Sequence, residues 1–245
     1  MSPHLTLAMT AAAAAADLLR REFLADARVL DDAGKDLKTQ ADVAAQEIIL
    51  AHLKVTGIKA LAEESERPAD ADVHIDRPLW LIDPLDGTLN FSRGFAMAAV
   101  SIALWDRGEP VLGVIHDIHH GRVYAGEIGV GAWCDNRPMR VSMADTEHQA
   151  ILATGFPSGR RYDDDSLLAF VRSVQSYKKV RMLGSAALML AQVAAGHFDV
   201  YEEEDIYLWD VAAGLALVRA AGGQFTMHPG SGPFKVRVRA SNGIV

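Results

Sequence analysis

Apolar and polar positions alternate in two different ways along the chain. Between Met97 and Val141 the apolar runs are short, AMAAVSIALW, VLGVIHD, RVYAGEI and GAWC, and are broken by DRGEP, IHHG, GVG and DNRP. Runs of strand length separated by glycine, proline and asparagine turns predict an antiparallel meander. From Ala150 the pattern changes to ILATGF, a helix from Asp165 to Tyr177, the short VRML, a helix from Ser185 to Ala195, FDVYEE, a helix from Asp210 to Ala221, and closing strands. That alternation predicts α/β layering.

Before the strands, two helices joined by a connector are read, the second ending at Val55. LTLAMTAAAAAADLL is rich in the best helix former and lacks the basic region of an export signal. After the polar connector DARVLDDAGKDLK, Val43, Ile48, Ile49 and Leu53 keep helical spacing from Thr39 to Val55, with Thr39 as N-cap and Gly57 as stop. Lys59 to Ala62 predicts a short strand ending at Glu63-Glu64, RPADADVHIDRP a loop, and Leu79 to Ile82 a buried strand. No repeat or linker divides the sequence, so residues 1–245 are expected to form one compact unit, with lobes at 1–145 and 146–245.

Composition agrees with that size: 245 residues, 50% hydrophobic and 23% charged, suffice for a large core. A net charge of -8 offers no diffuse positive field for nucleic acid or an anionic membrane. An acidic protein that acts on phosphate would need metal cations. Cys134 is the only cysteine, which excludes an intrachain disulfide and fits a reducing compartment. With no apolar run long enough to cross a bilayer, a cytoplasmic location is expected.

The candidate chemistry starts at WLIDPLDGTLNF, where Asp83 and Asp86 follow a predicted strand. Removing one residue would give D-x-D-G-T, the nucleophile loop of haloacid dehalogenase phosphatases, but Leu85 occupies the place of its general acid. Glu63, Asp83, Asp86 and Asp210 all fall at strand ends or helix starts, where layered α/β folds gather ligand sites. Clustered carboxylates without Lys or Arg favour an oxygen-liganded magnesium site. With Pro84 fixing the turn, the two aspartates and the Leu85 carbonyl could face ions about 4 Å apart, the spacing that clamps a phosphoryl group. Gly87 would let backbone approach a phosphate, and Thr88 would open a short helix whose N–H groups favour an anion. Isolated Asp-Pro and Asp-Gly pairs also cap turns, and Thr39-x-x-Asp42 also reads as a helix-capping pair. HDIHH, with His116, His119 and His120, has zinc-like spacing, yet its place between two strands reads as a surface hairpin.

At these residues the chain resembles the inositol monophosphatase family of magnesium-dependent, lithium-sensitive phosphatases. LAEES, WLIDPLDGTLNF, GAWCDNRPMRVS, LGSAALMLAQVAAGHFDVYEE and WDVAAGLALVRAAGG carry the resemblance in the family's order over nearly the whole chain. The resemblance implies an αβαβα sandwich of the inositol monophosphatase and fructose-1,6-bisphosphatase type, usually a homodimer. It assigns Glu63, Asp83 and the Leu85 carbonyl to a first metal, and Asp83, Asp86 and Asp210 to a second. Thr88, with Asp42 and Glu63, would position and deprotonate an attacking water. Asp86, Gly87 and Thr88 would meet the phosphate, and Gly184, Ser185, Ala186 and Glu203 the organic part.

Two or three magnesium ions and inhibition by lithium are implied, as is a small phosphate ester as substrate, most simply an inositol or sugar monophosphate. Histidinol phosphate, fructose 1,6-bisphosphate and a 3′(2′),5′-bisphosphate nucleotide share that catalytic core, and a non-catalytic binding protein could share the fold. Ala62 stands where the family commonly has glycine, and Lys38 where an apolar residue precedes the threonine, which bears on the mobile loop expected at residues 31–38 and on a third metal. Glu204-Asp205 add charge, so the acidic run from Glu202 to Asp205 is expected to influence substrate choice and could pair with an amine.

Overall fold

The computed structural model describes residues 1–24, 29–33, 36–65, 75–156 and 163–245, with the side chains of residues 29–33 and 36–38 excluded. Most of the predicted RPADADVHIDRP loop, the pair Arg160 and Arg161, and the side chain of Lys38 therefore lie outside the described residues.

Helix α1 (Pro3–Leu18) begins with Ser2 as N-cap and runs into a π-helical turn, Leu19–Phe23. A hairpin of β1 (Val29–Ala33) and β2 (Asp36–Thr39) leads to α2 (Gln40–Leu53). This corrects the expected loop at 31–38, since described residues on both sides pair antiparallel, Asp31 with Lys38 and Ala33 with Asp36. The polar connector carries no alternation from which that pairing could be read. Thr39 caps α2, and Gly57 follows its last turn in the left-handed region at φ 67°.

A seven-stranded sheet follows, from β3 (Lys59–Ala62), β4 (Leu79–Asp86), β5 (Ala99–Asp106), β6 (Glu109–Asp117), β7 (Val123–Glu127), β8 (Gly131–Cys134) and β9 (Arg137–Pro138), in that spatial order. Only the β3–β4 pair is parallel; the rest is the predicted meander. A short helix, α3 (Thr88–Ser92), lies between β4 and β5. The second half supplies β10 (Ile151–Thr154), α4 (Asp164–Gln175), β11 (Lys179–Arg181), α5 (Ala186–Ala194), β12 (Val200–Tyr207), α6 (Leu208–Ala220), β13 (Gln224–Pro229) and β14 (Lys235–Ser241). Its five strands pair in the order β11-β10-β12-β14-β13.

Successive residues of a strand face opposite sides, so a sheet covered on both faces can be apolar throughout. In β4 and β5 the alternate residues Leu79, Leu81, Ala103 and Trp105 join one core, while Trp80, Ile82, Ile102 and Leu104 join another. The second core is closed by α1 and α2, the first by α5 and α6, which also pack on the five-stranded sheet. Helix α6 is buried from Leu208 through Val218 except at Asp210, because it is enclosed between two sheets. On the far side of the five-stranded sheet, Val174 of α4 packs against Leu152, Tyr177 and Val200. The layers are thus α, β, α, β, α, as the resemblance implies.

Candidate active site

Strand β4 does not stop at Ile82 as its apolar run suggests. It continues to Asp86, with Asp83 paired to Ser101 and Asp86 to Ala99, so that Pro84 and Leu85 together oppose Val100 in a bulge. Proline has no N–H for a ladder, and a bulge accommodates it while re-aiming the flanking side chains. Asp83 accepts the Leu85 N–H at 2.9 Å, and Gly87 turns the chain at φ 85° into α3. A Cβ at Gly87 would lie 2.7 Å from the Met97 carbonyl oxygen, so only glycine fits this turn.

Carboxylate oxygens of Glu63, Asp83 and Asp210 lie within 4.8 Å of one another, although β3, β4 and α6 are far apart in sequence. Among the described residues this is the sole group of three or more acidic, histidine or cysteine side chains close enough to hold one ion. Burial, followed by repulsion from Glu63 and Asp86, raises the Asp83 carboxyl well above its ordinary range, and the same causes raise Asp210. No ion pair joins Asp83, Asp86 or Asp210 to Lys or Arg among the described residues. An all-oxygen donor set whose carboxylates repel one another matches a hard divalent cation.

Asp86 faces a neighbouring feature. Its carboxylate accepts the Ser185 hydroxyl and the N–H groups of Ala186 at 3.2 Å and Ala187 at 2.9 Å, at the start of α5. Burial still pushes it up to about 6 against those hydrogen bonds. The Thr88 hydroxyl lies 3.0 Å from Asp42 Oδ1 and 3.0 Å from the Leu85 carbonyl, and its single proton can serve either acceptor. Meanwhile Asp42 Oδ2 accepts the Thr39 N–H at 2.9 Å and the Thr39 hydroxyl, closing the capping box. Asp42 thus closes the capping box and reaches Thr88 at once, through different oxygens. Burial pushes this carboxyl up to about 6, opposed by its Thr39 and Thr88 hydrogen bonds.

Asp86, Gly184, Ser185, Ala186, Glu203 and Asp210 line a cavity of about 300 Å³. Glu203 accepts the Tyr201 hydroxyl at 2.8 Å, and burial raises its carboxyl to about 7. The rest of the acidic run is answered within the protein: Arg237 lies 3.5 Å from both Glu202 and Glu204, and Lys235 lies 3.1 Å from Asp205. In HDIHH, His116 is buried within β6, and His119 and His120 belong to the turn that follows, in which Asp117 accepts their N–H groups and holds His120 Nδ1 at 2.8 Å.

A family model described as the inositol monophosphatase family matches residues 1–245. The chain belongs to this family. It is accordingly a phosphoric monoester hydrolase of a metal-dependent family. Inositol monophosphatase 3 of Solanum lycopersicum is 34% identical over 97% of the chain and 91% of the relative. An inositol-1-monophosphatase of Mesorhizobium japonicum is 40% identical over 77% of the chain and 71% of the relative. The structure of inositol monophosphatase from Anabaena superposes with a TM-score of 0.83 at 34% identity, covering 98% of this chain and 91% of that one.

Three participants escape a reading of the sequence. Asn90 Nδ2 reaches the carbonyls of Met97, Leu183 and Gly184 at 2.9, 2.8 and 3.1 Å, tying the turn after β4 to the turn before α5. Gly155 lies where a Cβ would meet Glu203 Oε1 at 2.5 Å, so its lack of a side chain makes room for that carboxyl. Tyr201 is the hydrogen-bond donor to Glu203. Asn90 sits inside the DGTLNF motif and Gly155 inside ILATGF, but nothing local to either reveals its distant partner.

Proposed function

We propose that this enzyme is a magnesium-dependent phosphatase that hydrolyses inositol monophosphate by direct attack of water. The observation that carries the reading is the Glu63, Asp83 and Asp210 oxygen cluster beside the Thr88–Asp42 pair and opening onto a cavity lined by Glu203. Glu63, Asp83 and the Leu85 carbonyl are the proposed ligands of one ion, and Asp83, Asp86 and Asp210 of a second, with a third ion and lithium inhibition following the family. When bound, magnesium would offset the phosphate's charge and make water more acidic.

The protein's own residues do the positioning. Thr88 orients the water through its hydroxyl, Asp42 and Glu63 take up the proton, and Gly87 leaves backbone room for the phosphate. The Asp42 contact also removes rotational freedom from Thr88, so its hydroxyl is set before substrate arrives. Asp86 reaches both the proposed second ion and the substrate, while Gly184, Ser185, Ala186 and Glu203 meet the hydroxyls of the organic part. Glu203, neutral or charged near pH 7, can donate or accept a hydrogen bond there. Residues 1–245 act as one unit, as a homodimer in the cytoplasm.

Phosphate release from inositol 1-phosphate, fructose 1,6-bisphosphate, histidinol phosphate and adenosine 3′,5′-bisphosphate tests the reading, with magnesium and then with chelator. Magnesium-dependent turnover with inositol 1-phosphate preferred is expected. Equal or greater turnover of another ester would replace the substrate, and release unaffected by chelator would overturn the mechanism.

A further inference from the structure

The wall of the substrate cavity contains a left-handed aspartate. Asp205 has φ 60°, in a bulge where β12 leaves register with β14 between Glu203 and Ile206. A non-glycine residue in that region persists only where its surroundings hold it, and such residues concentrate at binding sites. Here the hold is visible. Asp205 Oδ1 accepts the Ser231 N–H at 2.7 Å, and Oδ2 pairs with Lys235 Nζ at 3.1 Å; the two side chains are only 11% and 16% exposed.

Lys235 continues the chain of contacts. Its Nζ lies 5.0 Å from the centroid of the Tyr207 ring, on which Trp209 stacks at 4.5 Å and 9°. Tyr207 thus carries a cation and a parallel indole against its ring while lining the cavity. Glu203, Asp205, Ile206 and Tyr207 all line that cavity, which Glu63 and Asp83 do not. Asp210 also lines the cavity, from α6, whose neighbouring residues Trp209 and Val211 are buried between two sheets.

We propose that the Asp205–Lys235 pair is a positioning device for the substrate's organic part, fixing the bulge that presents Glu203 and Tyr207 to the cavity. The proposal rests on the phosphatase reading above and adds a division of labour: the pair governs how a polyol is held and leaves the phosphate chemistry alone. Lys235 is a positioning residue that acts through Tyr207, and Asp205 one that acts through the backbone it pins.

Steady-state kinetics of Lys235→Met, Lys235→Arg and Asp205→Gly would test it, with inositol 1-phosphate and p-nitrophenyl phosphate, whose phenyl group offers Glu203 no hydroxyl. Asp205→Gly keeps the left-handed turn free of strain while removing its anchor, which separates positioning from folding. For Lys235→Met and Asp205→Gly, KM for inositol 1-phosphate is expected to rise roughly tenfold with kcat within about twofold, the signature of lost uniform binding. Both constants for p-nitrophenyl phosphate should hold, and Lys235→Arg should restore KM. Unchanged KM in a folded variant overturns the proposal, as does a parallel fall in kcat for both esters. A wild-type enzyme that releases phosphate from neither ester overturns the phosphatase reading, and this proposal with it.

Discussion

Two concentrations of acid each send a residue, Asp205 and Asp210, into one cavity and differ in what answers them. Glu202, Glu204 and Asp205 meet Arg237 or Lys235 from the neighbouring strand β14. Asp83 and Asp210 have no Lys or Arg partner among the described residues, and both are raised in pKa by burial and by neighbouring acids. A count of charges along the sequence puts the longest acidic run at Glu202 to Asp205 and so points to the wrong place for unsatisfied charge. The neutralised group is scaffold, and the group left without cations is where solution must supply them.

The largest effect expected from breaking this contrast is at Asp210. Asp210→Asn should lower phosphate release roughly a hundredfold or more, as loss of a preorganised charged group does. The metal-free variant should nevertheless melt higher than the wild type, because one of the mutually repelling carboxylates is gone. Magnesium should raise the wild-type Tm, by about 2.7 kcal/mol of stabilisation at a hundred times Kd, and raise that of the variant much less. Thermal unfolding with and without magnesium checks both statements; an undiminished magnesium effect would remove Asp210 from the ligand set.

A middle-sized effect belongs to pH. Asp42 sits at about 6 instead of 3.8, because burial favours its neutral form. Only the ionised form can accept a proton by way of Thr88, so release should climb with pH up to about 6 and level off above it. The sign for stability is opposite. A raised carboxyl binds its proton more tightly in the folded chain, so its contribution is full below the unfolded value and is lost as pH rises through about 6. Asp42→Asn should flatten both dependences, measured as a pH–rate profile and as Tm against pH.

Much of this arrangement is legible in the sequence where a local signal exists. The cap at Thr39, the stop at Gly57 and the turns of the meander each depend on residues within a few positions, and the structure has them there. The extension of β4 is not legible, since Asp-Pro-Leu-Asp reads as a turn and becomes a bulged strand only against Ser101 and Ala99. Nor is the hairpin of β1 and β2, whose residues show no alternation. The carboxylates are evident as candidates through their positions at element ends. What each one touches is hidden, because Asp86 meets Ser185 and Asp205 meets Lys235 across sequence separations of 99 and 30.

The smallest effect is predicted for Arg237, whose side chain is 56% exposed and 3.5 Å from each of its two acids. Arg237→Ala should change stability by less than about 1 kcal/mol, as exposed pairs do, and leave phosphate release unaltered. Chemical denaturation and steady-state kinetics would check this, and a loss comparable with that at Lys235 would erase the distinction between the half-buried pair and the solvated one.

The two oxygens of Asp42 give the first turn of α2 an unusual property. One oxygen holds the helix end closed and the other holds the Thr88 hydroxyl, so whatever tightens or loosens one contact is felt by the other. The amide of Ala41, which donates to Thr39 inside the same box, is then a spectator with a view of the active site. Its exchange with deuterium should slow when phosphate and magnesium are present, reporting occupancy from a helix terminus that touches neither.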